Sequence, residues 1–282
     1  MKKIIVSTDC VADLPEQLRK KMDIHTMHYY IKVAGARFMD GFEMDSASLL
    51  RYIDTHEDFP KSSCASVEEY REYFCRLREE PCEGIVHISM GRYSSDGYDT
   101  AKKAAEDMQE VTVVDSGALS SSMAILALYA ADLARRGCPL GVLKKALERK
   151  KEKLSTSFVV RDTKHMVWGG KINERVGTLL ERLRLHPFCG MRGSRICLVG
   201  FFLGNERSYG RRYINRVLGN PDTIDPSLLF ITTAGCTEEM KQWLEQEARK
   251  RVAWEKILFQ EASATVSCNC GPGTFGLLFS RR

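Results

Sequence analysis

Three short apolar runs in the first half of the chain each end in polar side chains, and helix-like segments lie between them. The runs end at Thr8-Asp9, Ser89 and Asp115-Ser116. Alternating strands and helices are typical of a parallel sheet, whose carboxyl strand ends share one edge and commonly hold the ligand. The pattern therefore predicts an α/β domain with a candidate site at these strand ends. The same polar residues would serve equally well as helix caps.

Local signals predict the individual elements of this first half. Asp13, followed by Pro15 and Glu16, predicts a helix start with Asp13 as its N-cap, and Ser66 with Glu69 forms a capping box. Residues 24–33, rich in Ile, Tyr and Val, predict one strand. Further predicted helices cover about 45–56, 66–79, 98–108, 123–134 and 139–154, and further strands cover 84–90 and 111–114.

The second half of the chain has more strands and fewer helices. Helices are predicted near 175–185, 208–218 and 238–252, and strands near 155–160, 195–203, 228–234, 256–262 and 274–280. This distribution of predicted strands and helices favours an α+β arrangement with an antiparallel sheet. We therefore expect an N-terminal α/β domain over 1–154 and a C-terminal α+β domain over 155–282.

Composition excludes several classes of protein. With 44% hydrophobic and 28% charged residues, the 282-residue chain is not expected to be disordered. No apolar run approaches the length of a membrane span, and the first residues lack the apolar core of a secretory signal, so we expect a cytoplasmic protein. The net charge of +5 neither demands nor excludes nucleic acid, but it lacks the strong clustering of a phosphate-binding stripe, and we expect no nucleic-acid partner. Ten cysteines without a C-x-x-C pair favour reduced thiols over zinc.

Four local motifs have competing interpretations. The segment 271–276 matches G-x-G-x-x-G, but only six residues follow it, so it predicts a tight turn near a ligand or another element, not a dinucleotide site. His25 and His28 would point to opposite faces of a strand, which disfavours a metal. The run 169–171 places a lysine beside two glycines, as in an anion site. The run 268–270 would be a reactive thiol pair or, as we favour, buried structural cysteines.

Short motifs in a fixed order resemble the DegV family of bacterial fatty-acid-binding proteins. STDCVADLP at 7–15 resembles the family's opening STDSTADLP, and SSCAS at 62–66 stands where the family has TSQPS. SDGY at 95–98 stands where it has SGTY, and GPGT at 271–274 matches its final GPGT. Smaller matches lie between them, namely Asp40-Gly41, Val114-Asp115-Ser116, Phe158-Val159-Val160 with 169–172, and Leu179-Leu180 with Pro187. The resemblance spans nearly the whole chain.

The resemblance implies a two-domain fold with a long-chain fatty acid bound between the domains. It implies no catalytic activity and no cofactor or metal: the protein would present the bound carboxylate to a separate kinase. Ser62 and Ser95 would donate hydrogen bonds to that carboxylate, with Asn269 standing where the family has a histidine. Supporting positions would be Ser63, Thr8, Asp9, Gly97, Asp115, Ser116, Gly170, Lys171, Gly271 and Gly273.

Three positions depart from the family pattern. Asn269 replaces histidine and cannot carry charge, Lys171 replaces arginine and lacks its bidentate fork, and Asp96 adds an acid beside Ser95. These changes bear on the head group of the ligand more than on the fold. An alternative is a hydrolase or phosphotransferase that uses the strand-end hydroxyls and thiols. A third interpretation is a regulatory module that contacts nucleic acid through its slight positive charge.

Overall fold

The computed structural model of the chain describes residues 3–56, 59–170 and 172–282. Its first half contains β1 (Lys3–Asp9), α1 (Glu16–Lys21), β2 (Ile24–Met27), β3 (Tyr30–Val33), β4 (Ala36–Met39), α2 (Ser46–Thr55), β5 (Lys61–Ser63), α3 (Val67–Arg78), β6 (Cys82–Ser89), α4 (Gly97–Ala104), β7 (Val111–Asp115), α5 (Ser121–Arg135) and α6 (Leu140–Lys151). Its second half contains β8 (Leu154–Val159), α7 (Lys164–Trp168), α8 (Glu174–Arg182), β9 (Leu185–Arg192), β10 (Arg195–Leu203), α9 (Glu206–Val217), β11 (Ile224–Ala234), α10 (Glu238–Arg249), β12 (Ile257–Glu261), α11 (Ala264–Cys270) and β13 (Thr274–Arg281).

The first sheet is parallel, with the strand order β2-β1-β6-β7. Ser89 at the end of β6 pairs with Asp115 at the end of β7, so the polar strand ends do share one edge. Helices cover both faces because side chains alternate along each strand. Ile5 packs with Phe74 of α3 on one face, whereas Ile4 and Val6 pack beneath α5 and α6 on the other. The predicted α/β fold of this half is confirmed.

The prediction of one strand over 24–33 is wrong. The chain changes sheets at His28-Tyr29: β2 joins the parallel sheet, and β3 joins a separate antiparallel sheet of order β4-β3-β5. At the break, the Tyr29 amide donates to the Cys10 thiol, and the Tyr29 carbonyl accepts from the Asp40 amide. Buried and less buried residues alternate across the break from Met27 to Val33, because this pattern depends on side-chain burial and not on which strand pairs with the backbone.

The second half forms a six-stranded sheet of order β10-β9-β8-β13-β11-β12, antiparallel except for the β11–β12 pair. Tyr213 of α9, Leu244 of α10 and Phe275 of β13 belong to one buried cluster between this sheet and its helices. Sequence reasoning missed β9, in which Pro187 and Gly190 interrupt the strand pattern. The predicted sheet-based second half is confirmed, whereas the boundary between 154 and 155 stays a prediction.

In the part of the chain that the structure describes, no helix combines the length and the apolarity needed to cross a bilayer.

Candidate functional site

A cavity of about 1200 Å³ has walls from both halves of the chain. Its apolar wall includes Leu119, Phe158, Leu180, Leu198 and Leu278. Four polar residues expected at the site from the sequence, Ser62, Ser63, Ser95 and Asn269, also line it. The cavity thus combines a large apolar surface with a few hydroxyl and amide groups, which suits a ligand with an apolar body and a polar head.

Ser62 is held by Asn269. Pairing of β5 with β3, in which Ser62 lies opposite Ile31, places this serine at the cavity wall. Asn269 Nδ2 donates to Ser62 Oγ at 3.0 Å and to the Thr265 carbonyl at 2.8 Å. Because both amide hydrogens are used, Asn269 has none left for a ligand. Ser62, which already accepts a hydrogen bond, keeps its own proton available to donate.

Ser95 is held by Tyr29 and Gly97. Ser95 Oγ accepts the Gly97 amide at 3.1 Å and lies 2.9 Å from Tyr29 Oη. A Cβ at position 97 would lie 2.0 Å from Tyr29 Oη, so the threonine of the SGTY pattern would not fit beside this tyrosine. Gly97 is not among the described residues that line the cavity, and its lack of a side chain leaves room for the Tyr29 phenol.

Thr8 and Asp9 are fully buried, and neither is among the described residues that line the cavity. Thr8 Oγ1 donates to the Ile88 carbonyl. Asp9 accepts from Tyr70 Oη at 2.6 Å, from the Met90 amide at 2.9 Å and from His87. Thr8 and Asp9 therefore connect the ends of β1 and β6, and they are buried beneath the residues that line the cavity.

Asp115 and Ser116 form a turn and are likewise absent from the described cavity lining. Asp115 accepts the Gly117 amide at 2.9 Å and the Ser194 hydroxyl at 2.9 Å, the latter from the second half of the chain. Ser116 Oγ accepts the Ala118 amide at 3.1 Å. Among the described residues, the strand-end side chains of Thr8, Asp9, Asp115 and Ser116 bind neighbouring strand ends and turns, and none of their recorded hydrogen bonds caps a helix.

The helix α11, which carries Asn269, is held by two aspartates from the first half. Asp40 accepts the amides of Ala264 at 2.9 Å and Thr265 at 2.8 Å, and Asp13 accepts that of Ser263 at 2.8 Å. The helix α11 was not predicted from the sequence. These contacts were not predicted either, because no local sequence pattern connects residues more than 200 positions apart.

The predicted N-cap role of Asp13 is wrong. Pro15 is the N-cap of α1, and Asp13 lies in a left-handed turn with φ of 48°. Its side chain is buried, accepting from Ser120 and from the Ser263 amide. Burial raises the pKa of Asp13 to about 7.

The glycine motifs differ in what surrounds them. Gly170 lines the cavity with φ of 67°, and Lys171 lies outside the described residues. Gly271 and Gly273 both have φ of 75°, and a Cβ there would lie 2.5 Å from His165 and 2.3 Å from Arg161. The GPG turn is therefore a close approach to another element, one of the two alternatives left open by the sequence.

Among the described residues that line the cavity, the charged ones are Lys61, Arg92, Asp96 and Arg195. Arg92 pairs with Asp99 at 3.1 Å, and the Arg195 guanidinium lies 4.4 Å from the centre of the Tyr93 ring. Asp96, which departs from the family pattern, is itself exposed.

The cysteines are free thiols. Cys268 and Cys270 are buried beside Asn269, and burial raises the pKa of each, so both favour the protonated, unreactive form. Within residues 3–56, 59–170 and 172–282, no group of three or more His, Cys, Asp or Glu side chains is arranged to hold a metal ion.

Comparison with known proteins matches residues 3–282 to the model of the DegV family, described as "Uncharacterised protein, DegV family". A DegV domain-containing protein of Staphylococcus aureus is 25% identical over 201 residues, covering 71% of each chain. A Thermus thermophilus DegV family structure, reported for its fatty acid binding, has a TM-score of 0.86 at 24% identity over 99% of each chain. The Streptococcus pneumoniae "Fatty Acid Kinase (Fak) B3 protein", loaded with linoleic acid, has a TM-score of 0.83 at 16% identity over the full length of both chains. The match of the family model over nearly the whole sequence shows that this chain belongs to the DegV family.

Proposed function

We propose that the protein binds a long-chain fatty acid in the 1200 Å³ cavity and holds its carboxylate at Ser62 and Ser95. The observation that carries this proposal is the pairing of an extensive apolar wall with two serines whose oxygens already accept hydrogen bonds from fixed donors. Each serine therefore has a proton to offer to an anionic head. The fatty acid bound to the pneumococcal relative supports the same ligand class.

The energetics suit such a ligand. Burial contributes about 0.8 kcal/mol per methylene, so a long chain gains on the order of 10 kcal/mol before association costs of similar size. The carboxylate is the costly end, because a buried charge needs donors. Asn269 acts on it through Ser62 and not directly, since both of its amide hydrogens are already committed.

We also propose that a separate kinase acts on the bound carboxylate and that this chain is itself a non-catalytic carrier without a cofactor. The name of the pneumococcal relative supports a kinase partner. The hydrolase or phosphotransferase alternative needs an activated nucleophile. Ser95 has a tyrosine and a backbone amide as its hydrogen-bond partners, and burial raises the pKa of the cavity-lining thiols, which are Cys64, Cys189, Cys268 and Cys270. Nucleic-acid binding is not part of this proposal, and a cytoplasmic location stays a prediction.

The test is the lipid content and lipid affinity of the purified protein. Denatured protein should release fatty acids that mass spectrometry identifies, and delipidated protein should bind hexadecanoate. Ser62→Ala and Ser95→Ala should each weaken that binding about tenfold, as expected for a lost hydrogen bond to a charged group. Ser227→Ala, an exposed position on β11, is the matched control and should bind like wild type. Protein that neither carries nor binds a fatty acid would contradict the proposal.

A further inference from the structure

Tyr29, at the break between β2 and β3, was not among the residues expected at the site. Its side chain is 1% exposed and lines the cavity. The phenol oxygen lies 2.9 Å from Ser95 Oγ and 3.5 Å from the nearer oxygen of Asp9. Tyr29 thus connects a buried carboxylate to a serine that, in the proposed function, contacts the ligand.

The distances indicate where the phenol proton points. An O–H···O hydrogen bond has its optimum near 2.7–2.8 Å, so the contact to Ser95 is the better one. Asp9 already accepts strong hydrogen bonds from Tyr70 and the Met90 amide. Burial, together with the charge of Asp9, raises the pKa of Tyr29 well above its usual value, so the phenol keeps its proton. Tyr29 is therefore placed to donate to Ser95.

The hydrogen bonds that Ser95 Oγ accepts determine where its own proton can point. Its oxygen accepts from the Gly97 amide, and a phenol proton directed at Ser95 instead of the more distant Asp9 fills its second lone pair. The hydroxyl proton of Ser95 has no acceptor left among these partners, and the cavity is the open direction. Asn269 fills one lone pair of Ser62, which accepts its amide at 3.0 Å.

We propose that Tyr29 is a positioning residue that orients the Ser95 proton toward an anionic head group. This inference rests on the proposed function, since it concerns the same site. Each of the two serines then accepts a hydrogen bond from a neighbouring side chain, Tyr29 or Asn269, and directs its own proton toward the cavity. The cavity would then favour a carboxylate over a neutral head group, because a donor fixed in this way makes a stronger hydrogen bond to a charged acceptor than to a neutral one.

The experiment compares hexadecanoate with hexadecanol, which has the same chain and a neutral head. Tyr29→Phe keeps the ring and removes the hydroxyl, so it should weaken hexadecanoate binding about three- to tenfold and change hexadecanol binding less than twofold. Equal weakening of both probes would assign Tyr29 to packing alone and overturn the inference. Unchanged hexadecanoate binding would overturn it as well.

A double-mutant cycle separates action through Ser95 from independent effects. In a Ser95→Ala background, Tyr29→Phe should cost no further hexadecanoate affinity, whereas additive losses would overturn the inference. Gly97→Ala, which displaces the phenol without altering it, should reproduce the acid-selective loss if Tyr29→Phe fails to fold. Wild-type protein that binds neither probe contradicts the proposed function and the inference together. Wild-type binding with an additive cycle contradicts only the inference.

Discussion

Gly97 is the position at which helix propensity and packing make opposite predictions. It is the first residue of α4, where alanine should stabilise the helix by up to about 1 kcal/mol. A Cβ there would lie 2.0 Å from Tyr29 Oη, 3.1 Å from Tyr29 Cζ and 3.4 Å from Tyr70 Oη. Carbon atoms pack best at about 3.5–4.0 Å, and both tyrosines are almost completely buried, so an added methyl group must push the Tyr29 phenol out of its present contacts.

We expect Gly97→Ala to lower the free energy of unfolding by about 1–3 kcal/mol, the usual cost of overpacking, even though the helix gains in propensity. Urea denaturation followed by circular dichroism measures this difference. The double variant Tyr29→Phe/Gly97→Ala should recover part of the loss, because the closest contact is with the phenol oxygen.

Gly141 in α6 provides the matched control. It is a glycine near a helix start like Gly97, but a Cβ there meets no other atom within 4 Å. Gly141→Ala should therefore stabilise the protein by up to about 1 kcal/mol. A Gly97→Ala protein at least as stable as wild type would refute the reasoning about the Tyr29 contact.

Three further predictions concern α11. Asp40→Asn leaves one acceptor oxygen for two amides and should cost about 1–3 kcal/mol in urea denaturation, together with weaker hexadecanoate binding; unchanged values would argue against the anchoring role. Asn269→Ala frees Ser62 to rotate and should weaken hexadecanoate binding about three- to tenfold by calorimetry, and equal affinity would rule that out. The pKa of Asp13 is about 7 in the folded protein, above the value of about 3.9 in unfolded chains, so the folded state binds its proton more tightly. Its contribution to stability therefore falls as pH rises from about 4 to 7, and Asp13→Asn should flatten that part of a denaturation series, whereas an unchanged slope would contradict the assignment.

The elements with local signals could be predicted from the sequence. The capping box at Ser66 and Glu69 forms as expected, and α2 begins after Asp45, which caps the Ser48 amide. Such signals act within one helical turn, so the sequence contains all of their partners. The alternation of strands and helices likewise predicts the parallel sheet, because successive parallel strands are usually connected by a helix that packs on the sheet.

The parts that failed depend on distant partners. The sheet change at Tyr29 and the anchoring of α11 by Asp40 join residues that no local pattern connects. Asp13 has the sequence of a helix cap, but it faces Ser263, 250 positions away. Tyr29 was missed for the same reason, since it meets Ser95 only through the space that Gly97 leaves.

The most direct test of the account is a crystal structure of the protein with hexadecanoate. The account predicts the acyl chain in the 1200 Å³ cavity, with carboxylate oxygens about 2.5–3.0 Å from Ser62 Oγ and Ser95 Oγ. It also predicts that Tyr29 keeps its contact with Ser95. A chain bound with its head away from both serines, or a cavity left without lipid at saturating hexadecanoate, would contradict the central claim.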